Sequence, residues 1–421
     1  MVDILADLAF RNYIFQVTDQ DGLQKRLSEG PTTLYCGFDP TADSLHVGSL
    51  IPILGLRRFQ LAGHIPIALV GGGTGLIGDP SGKGEERQLN TPEVVAAYTG
   101  AQRKQLERFL DFEARSNPAQ MVSNLTWLSE LGAIELLRDV GKHFPMGYML
   151  AKESVSSRLE TGISFTEFSY MVLQAYDFME LNRQHGCELQ IGGSDQWGNI
   201  TAGMELIRRT LNQQVYGLTF PLLEKADGTK FGKTESGTIW LDAEKTSPYE
   251  FYQFWIHTED REVVQYLKFF TFLSQEEIQN LEEEVQSQPE KRVAQRTLAE
   301  EMTTFVHDRA ATNRAVHISE ALFSGDLKAL SEQEIQEGFN GVPSHTIDGV
   351  ASVGLIDLLV NAGISPSKRQ AREDIKNGAV YVNGIRCTDR GRELSPADNL
   401  CGNYLVMRRG KRNYYLIQWA A

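Results

Sequence analysis

The apolar run Thr33-Leu34-Tyr35-Cys36-Gly37-Phe38 leads through Asp39 to Ser49 into Leu50 to Leu61, whose apolar residues recur at helical spacing. Pro40, Asp43 and Ser44 are turn and cap residues, so the segment reads as buried strand, loop and buried helix. The start of such a helix offers unpaired backbone N–H groups and the positive end of a dipole, which favours phosphate. Thr41 and His46 add donors, and Gly48 lets a flat or charged ligand lie on the backbone. Taken alone, the same tetrapeptide also fits a capped helix with a surface histidine.

The pattern recurs. Ile65 to Val70 reads as a second buried strand, followed by Gly71 to Lys83. Gly73 to Gly78 spells GxGxxG, yet Asp79-Pro80-Ser81-Gly82 breaks the helix that a dinucleotide fingerprint must open. Gly78 to Lys83 is one residue short of a P-loop. What remains is a Gly-rich loop carrying Asp79, Lys83 and Arg87. Thr91-Pro92-Glu93 starts a helix running to 111, and Met121 to Asn124 reads as a short strand. Phe165 to Leu181 reads as an apolar helix with Tyr170, Gln174 and Asp177 along one face. A buried polar stripe needs partners, so it is either an internal network or the wall of a pocket for a polar ligand. Cys187 to Ile191 is a further strand, followed by Gly192-Gly193-Ser194-Asp195-Gln196-Trp197 and a helix over Asn199 to Leu211. Asp195 fits a helix cap or a ribose contact. Repeated strand–helix alternation with Gly and charge after the strands predicts a parallel sheet with ligands at its carboxyl ends. Lys230-Phe231-Gly232-Lys233-Thr234, on a polar loop, suits a triphosphate that is gripped and released; a solvated charged loop fits it as well.

A length of 421 residues predicts two or three domains. No apolar run approaches a bilayer span, no signal-peptide pattern opens the chain, and the four cysteines lack metal or disulfide spacing, so a cytoplasmic protein is expected. Helices run from Ser247-Pro248 to about 324, and 325–350 reads as a linker with one short helix. Residues 351–421 carry eleven Lys and Arg against six Asp and Glu. That is +5 on a chain of net −14, leaving −19 for the remainder. A basic tail on an acidic body is what a nucleic-acid-binding appendage looks like.

The loops at Asp39–Ser49 and Lys230–Thr234, in that order, resemble the paired signatures of class I aminoacyl-tRNA synthetases. Tyr35, the Tyr170/Gln174/Asp177 face and the Gly192–Trp197 turn resemble the bacterial-type tyrosyl family. Helices after Leu355 and Ser365, and the strand ending in Asn383-Gly384, resemble the small S-four RNA-binding fold. The resemblance implies a Rossmann-like parallel-sheet α/β catalytic domain over 1–246 with a helical dimerisation insert near 112–160. An α-helical domain over 247–324 and an α+β S-four domain over 351–421 would follow. It implies activation of tyrosine by ATP with Mg2+ and transfer to tRNA(Tyr), by a homodimer with no bound metal or prosthetic group and no membrane contact. Tryptophanyl synthetase is the alternative. Tyr35 and Asp177 would meet the substrate phenol; Asp79, Tyr170 and Gln174 its ammonium; Gln196 its carboxylate. Cys36, Gly37, Asp39, Gly48, Gly193 and Asp195 would line the nucleotide, with Ser49 standing where the family often has His or Asn. Thr41 and His46 would stabilise the transition state, and Lys83, Arg87, Lys230 and Lys233 would clamp pyrophosphate. Lys368, Arg369, Arg372, Arg408, Arg409 and Lys411 would meet tRNA.

Overall fold

A computed structural model describes residues 3–81, 89–156, 158–159, 162–223, 231–234, 237–349, 351–411 and 413–420, without the side chains of 153, 154, 233 and 234. The chain divides into two compact units, one of residues 1–246 with 258–298 and one of 247–257 with 299–421.

The first unit is built on a six-stranded sheet. Its strands are β1 (Gln16–Val17), β2 (Thr33–Phe38), β3 (Ile65–Val70), β4 (Gln120–Ser123), β5 (Cys187–Gly193) and β6 (Tyr216–Phe220), in the order β1-β6-β5-β2-β3-β4. All neighbours are parallel except β1, which runs antiparallel to β6. The sheet is covered on both faces, so its strands read as apolar runs. The Leu50–Leu61 helix buries Leu50, Ile53, Leu54, Leu56 and Phe59. The Phe165–His185 helix packs Met171, Ala175 and Phe178 in one cluster with Tyr35, Ile67 and Leu69 of the strands. It begins where the Ser164 hydroxyl accepts the Glu167 N–H and ends at left-handed Gly186. The expected helix at Thr91 spans Pro92–Phe109, capped by Thr91 with proline in its first turn.

Residues 247–324, read from sequence as one helical domain, are shared between the units. The helices Asp260–Phe270 and Gln275–Ser287 belong to the first. The physical reason lies in two buried arginines. Arg11 donates to the carbonyls of Lys268, Thr271 and Leu273, and Arg58 to those of Phe269 and Thr271. A two-stranded ribbon, β7 (Lys233–Thr234) with β8 (Gly237–Thr238), completes this unit.

The second unit has a five-stranded sheet in the order β12-β11-β14-β15-β9. Its strands are β9 (Ser344–Ile347), β11 (Val380–Val382), β12 (Ile385–Cys387), β14 (Tyr404–Arg409) and β15 (Asn413–Trp419); β10 (Val353–Gly354) pairs separately with β13 (Glu393–Leu394). Leu355, Leu358, Leu359, Ala371 and Ile375, from the helices Leu355–Asn361 and Lys368–Lys376, share one core with Val380, Val382, Leu405 and Met407. Asn383 (φ 50°) and Gly384 (φ 81°) make the hairpin turn that the Asn-Gly pair predicts. The stretch expected as a linker holds the Glu332–Gly338 helix and also β9, which pairs in parallel with β15.

Candidate active site

Sheet order reverses at β2, which lies between β5 and β3. In a parallel sheet that reversal opens a crevice at the carboxyl ends of the strands. A cavity of about 480 Å3 opens there. The segments that leave β2, β3, β4 and β5 all contribute to its lining, among them Thr41, His46, Gly48 and Ser49, then Gly71, Thr74 and Asp79, then Asn124, then Gly193, Asp195 and Gln196.

At one end of the cavity the wall is polar and buried. Asp177 Oδ1 accepts from Trp127 Nε1 at 2.8 Å, and Oδ2 accepts from Asn124 Nδ2 at 2.9 Å. Burial pushes its carboxyl up to about 7; those two donors pull it down, and the charge of Asp39 adds to the rise. The Tyr35 hydroxyl is buried with no hydrogen-bond partner, and Gln190, lining the same cavity, has a buried and unpartnered Oε1. Burial, and then the charge of Asp177, hold the Tyr35 phenol well above its ordinary range, so it stays protonated. An unpaired buried hydroxyl costs about 1–3 kcal/mol, which makes it a ready partner for a polar ligand group.

The expected polar stripe is both a network and a wall. Tyr170 donates to Asp39 Oδ2 at 2.7 Å, and Thr74 donates to Asp39 Oδ1 at 2.7 Å. Asp39, expected beside the nucleotide, is therefore turned toward Tyr170. A Cβ on Gly71 would lie 2.0 Å from Asp39 Oδ1, so only glycine leaves room for that carboxylate. Asp79 accepts from the Ser81 N–H at 2.9 Å and from Gln196 Nε2 at 2.7 Å. Gln196 Oε1 in turn accepts from Gln174 and Asn199. Asp195 accepts from Gln196 Nε2 at 3.2 Å, and no side chain caps the helix that follows. Burial, and then the charge of Asp195, push the Cys36 thiol up to about 12, so Cys36 is a neutral lining residue and no nucleophile.

At the other end His46 Nδ1 accepts the Gly48 N–H at 3.0 Å. That bond places the ring proton of neutral His46 on Nε2, as a donor. Phe231 and Gly232 come beside this loop. Ile239 donates to the Gly232 carbonyl, Val47 donates to the Ile239 carbonyl, and His46 bridges to Trp240. Gly232 has φ 83°, and a Cβ there would lie 2.4 Å from Val47 Cγ2. Phe231 stacks on Phe270 at 5.2 Å and meets Tyr266 edge-on at 5.2 Å. The centre of the second signature is thus anchored. Lys83, Arg87 and Lys230 lie outside the described residues, and Lys233 is placed by its backbone in β7. Among the described residues no group of His, Cys, Asp and Glu is arranged to hold a metal ion.

Asn124, Trp127 and Gln190 were absent from the sequence-based site. Asn124 directly follows β4, and the rule that ligands gather at strand carboxyl ends would have found it. Trp127, on a short helical turn, carries no such signal.

In the second unit Arg369, Arg372 and Lys411 are exposed. Lys368 pairs with Asp357 at 2.5 Å, and Arg409 pairs with Asp374 at 2.8 Å while donating to the Ile364 carbonyl. Arg409 thereby ties β14 to the Lys368–Lys376 helix, and its charge is already partnered.

The family of class I tRNA synthetases for tryptophan and tyrosine matches residues 27–324, and a tyrosine–tRNA ligase C-terminal domain matches 334–417. The chain is 64% identical over 420 residues to a tyrosine–tRNA ligase of Geobacillus stearothermophilus, covering 100% of both chains. It is 59% identical over 421 residues to tyrosine–tRNA ligase 1 of Bacillus subtilis, again covering 100% of both. A C-terminally truncated mitochondrial tyrosyl-tRNA synthetase of Aspergillus nidulans superposes with a TM-score of 0.70 at 32% identity, over 77% of this chain and 95% of that one.

Proposed function

The chain belongs to the bacterial tyrosyl-tRNA synthetases and is a tyrosine–tRNA ligase, and we propose that the buried pair Tyr35 and Asp177 reads the substrate phenol while Thr41 and His46 act on the phosphates. The tryptophanyl alternative is set aside by full-length identity to tyrosyl relatives. The observation that carries the assignment is the unpartnered Tyr35 hydroxyl facing the cavity beside an Asp177 already fixed by Asn124 and Trp127. A phenol there accepts from Tyr35 and donates to Asp177. Asp79, Tyr170 and Gln174 line the same cavity and suit the ammonium, and Gln196, hydrogen-bonded to Asp79, suits the carboxylate.

The tyrosine carboxylate is ionised at neutral pH and needs no general base. One of its oxygens attacks the α-phosphorus of ATP, the bond to the bridging oxygen breaks, and pyrophosphate leaves with that electron pair. His46 Nε2 and the Thr41 hydroxyl are donors suited to the charge that grows on the leaving group. Lys83, Arg87, Lys230 and Lys233 are proposed to hold it, with Mg2+ entering as the ATP complex. In the second step a ribose hydroxyl of the terminal tRNA adenosine attacks the tyrosyl carbonyl, the acyl C–O bond to the phosphate breaks, AMP departs with that electron pair, and the hydroxyl proton passes to the departing phosphate or to water. Cys36, Gly37, Gly48, Ser49, Gly193 and Asp195 would line the adenosine half of the cavity. The experiment is ATP–pyrophosphate exchange with tyrosine, tryptophan and phenylalanine, without tRNA. Exchange with tyrosine alone is expected; exchange with tryptophan would overturn the Tyr35/Asp177 assignment.

A homodimer is proposed for a separate reason. Ile134, Leu137, Met146 and Phe165, within or just beyond the stretch 112–160 that the resemblance gives to the dimer contact, are 59–75% exposed, and a contiguous apolar patch there would serve as the association site. Sedimentation should return twice the 47.1 kDa chain mass; a monomer at micromolar concentration would refute it. No helix among the described residues is long and apolar enough to cross a membrane, and a cytoplasmic location is proposed from the four free cysteines. Fractionation of the source cells tests it: activity recovered with the membranes or outside the cell would count against the cytoplasm.

The Asp177 shift gives a pH prediction. The folded protein keeps this proton up to about 7, whereas an unfolded aspartate releases it near about 3.9. The group therefore favours folding at low pH, and that contribution is lost as pH rises from about 4 to about 7. Denaturation of Asp177→Asn should show the variant gaining on the parent across that window and holding level above it. Parallel curves would mean that Asp177 is ionised in the fold throughout.

A further inference from the structure

Four strands of the second sheet each bring one residue to a single row. Arg386 is the register partner of Tyr381, Tyr381 of Arg408, and Arg408 of Tyr414. Direct cross-strand partners project from the same face, so cation, aromatic, cation and aromatic stand side by side. The opposite face of these strands carries Val380, Val382, Cys387 and Met407 into the core. The Arg408 guanidinium carbon lies 3.8 Å from the Tyr381 ring centroid and 5.7 Å from that of Tyr414. Its Nη1 donates to the Tyr414 hydroxyl at 3.4 Å, and its Nε is buried without a partner. Arg386 is held at the row's end by donating to the Gly378 and Asn377 carbonyls. Lys368, Arg392 and Arg409 all pair with carboxylates; Arg386 and Arg408 form no ion pair among the described residues.

An arginine that grips phosphate presents its fork of donors outward. Arg408 instead lies against a ring with one Nη committed to a tyrosine, so what it adds to the row is a flat cationic surface. We propose that Tyr381 and Arg408 form a stacking surface for an unpaired base of the tRNA, braced by Tyr414, whose own ring packs on Phe339 at 5.6 Å, with Arg386 at the edge of the row beside the adjoining phosphate. The net positive charge of this part of the chain fits that occupant, because a base reaches the row only with its phosphates. The inference rests on this unit being the one that binds tRNA, and it divides the unit's cations into those that stack and those that neutralise.

Aminoacylation of tRNA(Tyr) across a salt series tests both levels. Tyr381→Leu removes the ring, and Arg408→Lys keeps the charge without the plane, which leaves a mild variant should the first one misfold. Arg369→Gln with Arg372→Gln is the phosphate reference, and tyrosine-dependent pyrophosphate exchange gives the concentration of active enzyme. Each row variant should raise the KM for tRNA about tenfold, as loss of one stacked base does, with the parent's salt dependence. The reference pair should raise KM and flatten the plot of log KM against log salt by about two. Row variants with the parent's KM, or with a flattened salt slope, would overturn the stacking role while the reference pair still responds. If the reference pair is also unchanged, tRNA binding by this unit falls, and the stacking role with it.

Discussion

Asp177→Asn should lose most of the preference for tyrosine over phenylalanine. The ratio of kcat/KM for the two amino acids in pyrophosphate exchange should fall about a hundredfold or more. Two donors already fix the Asp177 oxygens, and an amide must turn its NH2 toward one of them. In the parent, phenylalanine would leave the buried Tyr35 hydroxyl without a partner and would deny Asp177 the phenol donor it takes beside Asn124 and Trp127. That penalty is what rejects an analogue lacking one hydroxyl, an effect for which tyrosyl enzymes are themselves the standing illustration. The loss should appear mainly as a weaker tyrosine, with the rate on phenylalanine little changed. A variant with the parent's ratio would remove Asp177 from the phenol site.

Replacing Thr41 or His46 by alanine should act on rate and leave binding alone. Each should slow formation of tyrosyl-adenylate roughly 100- to 1,000-fold, the range found when one preorganised transition-state donor is removed. Equilibrium affinities for tyrosine and ATP should stay within about twofold, because a donor aimed at charge that develops later does little for the ground state. His46 carries a second duty, since its Nδ1 accepts the Gly48 N–H. Comparison with His46→Asn, which can keep such an acceptor, separates loop support from transition-state donation. Equal losses of affinity and rate would show that these residues bind substrate and do not act on the transition state.

Much of the first unit was legible because its strands and helices differ in period and are punctuated by caps. Thr91 and Ser164 begin helices as their residue types predict, and in the second unit Ser247 does the same. The Tyr170/Gln174/Asp177 face was legible for a related reason, since polar residues on a buried helix demand partners. Their identity was not, because Asn124 and Trp127 approach from 50 or more residues away. Spacing on one helix says nothing about which loop crosses it. The division of 247–324 between the units was hidden for the same reason. Arg11 and Arg58 look like ordinary surface cations in sequence, yet both are 4% exposed and reach carbonyls more than 200 residues away. Charge pairs are hidden in the same way: Arg409 stands among the cations expected to meet tRNA, and nothing in the sequence shows that it pairs with Asp374.

Phe231, the centre of the second signature, rests on Phe270 and Tyr266 of the Asp260–Phe270 helix. That helix follows the last strand of the large sheet by about forty residues and belongs to the same unit. The smallest fragment able to activate an amino acid is therefore longer than the nucleotide-binding fold suggests. A chain cut at 246 would keep every wall of the cavity and lose the seat of its second signature loop, whereas one cut after 298 would keep both. Trimming such an enzyme to a minimal adenylate-forming module thus has a lower limit set by two aromatic rings, and a graft of the signature onto another α/β scaffold would have to bring those rings with it.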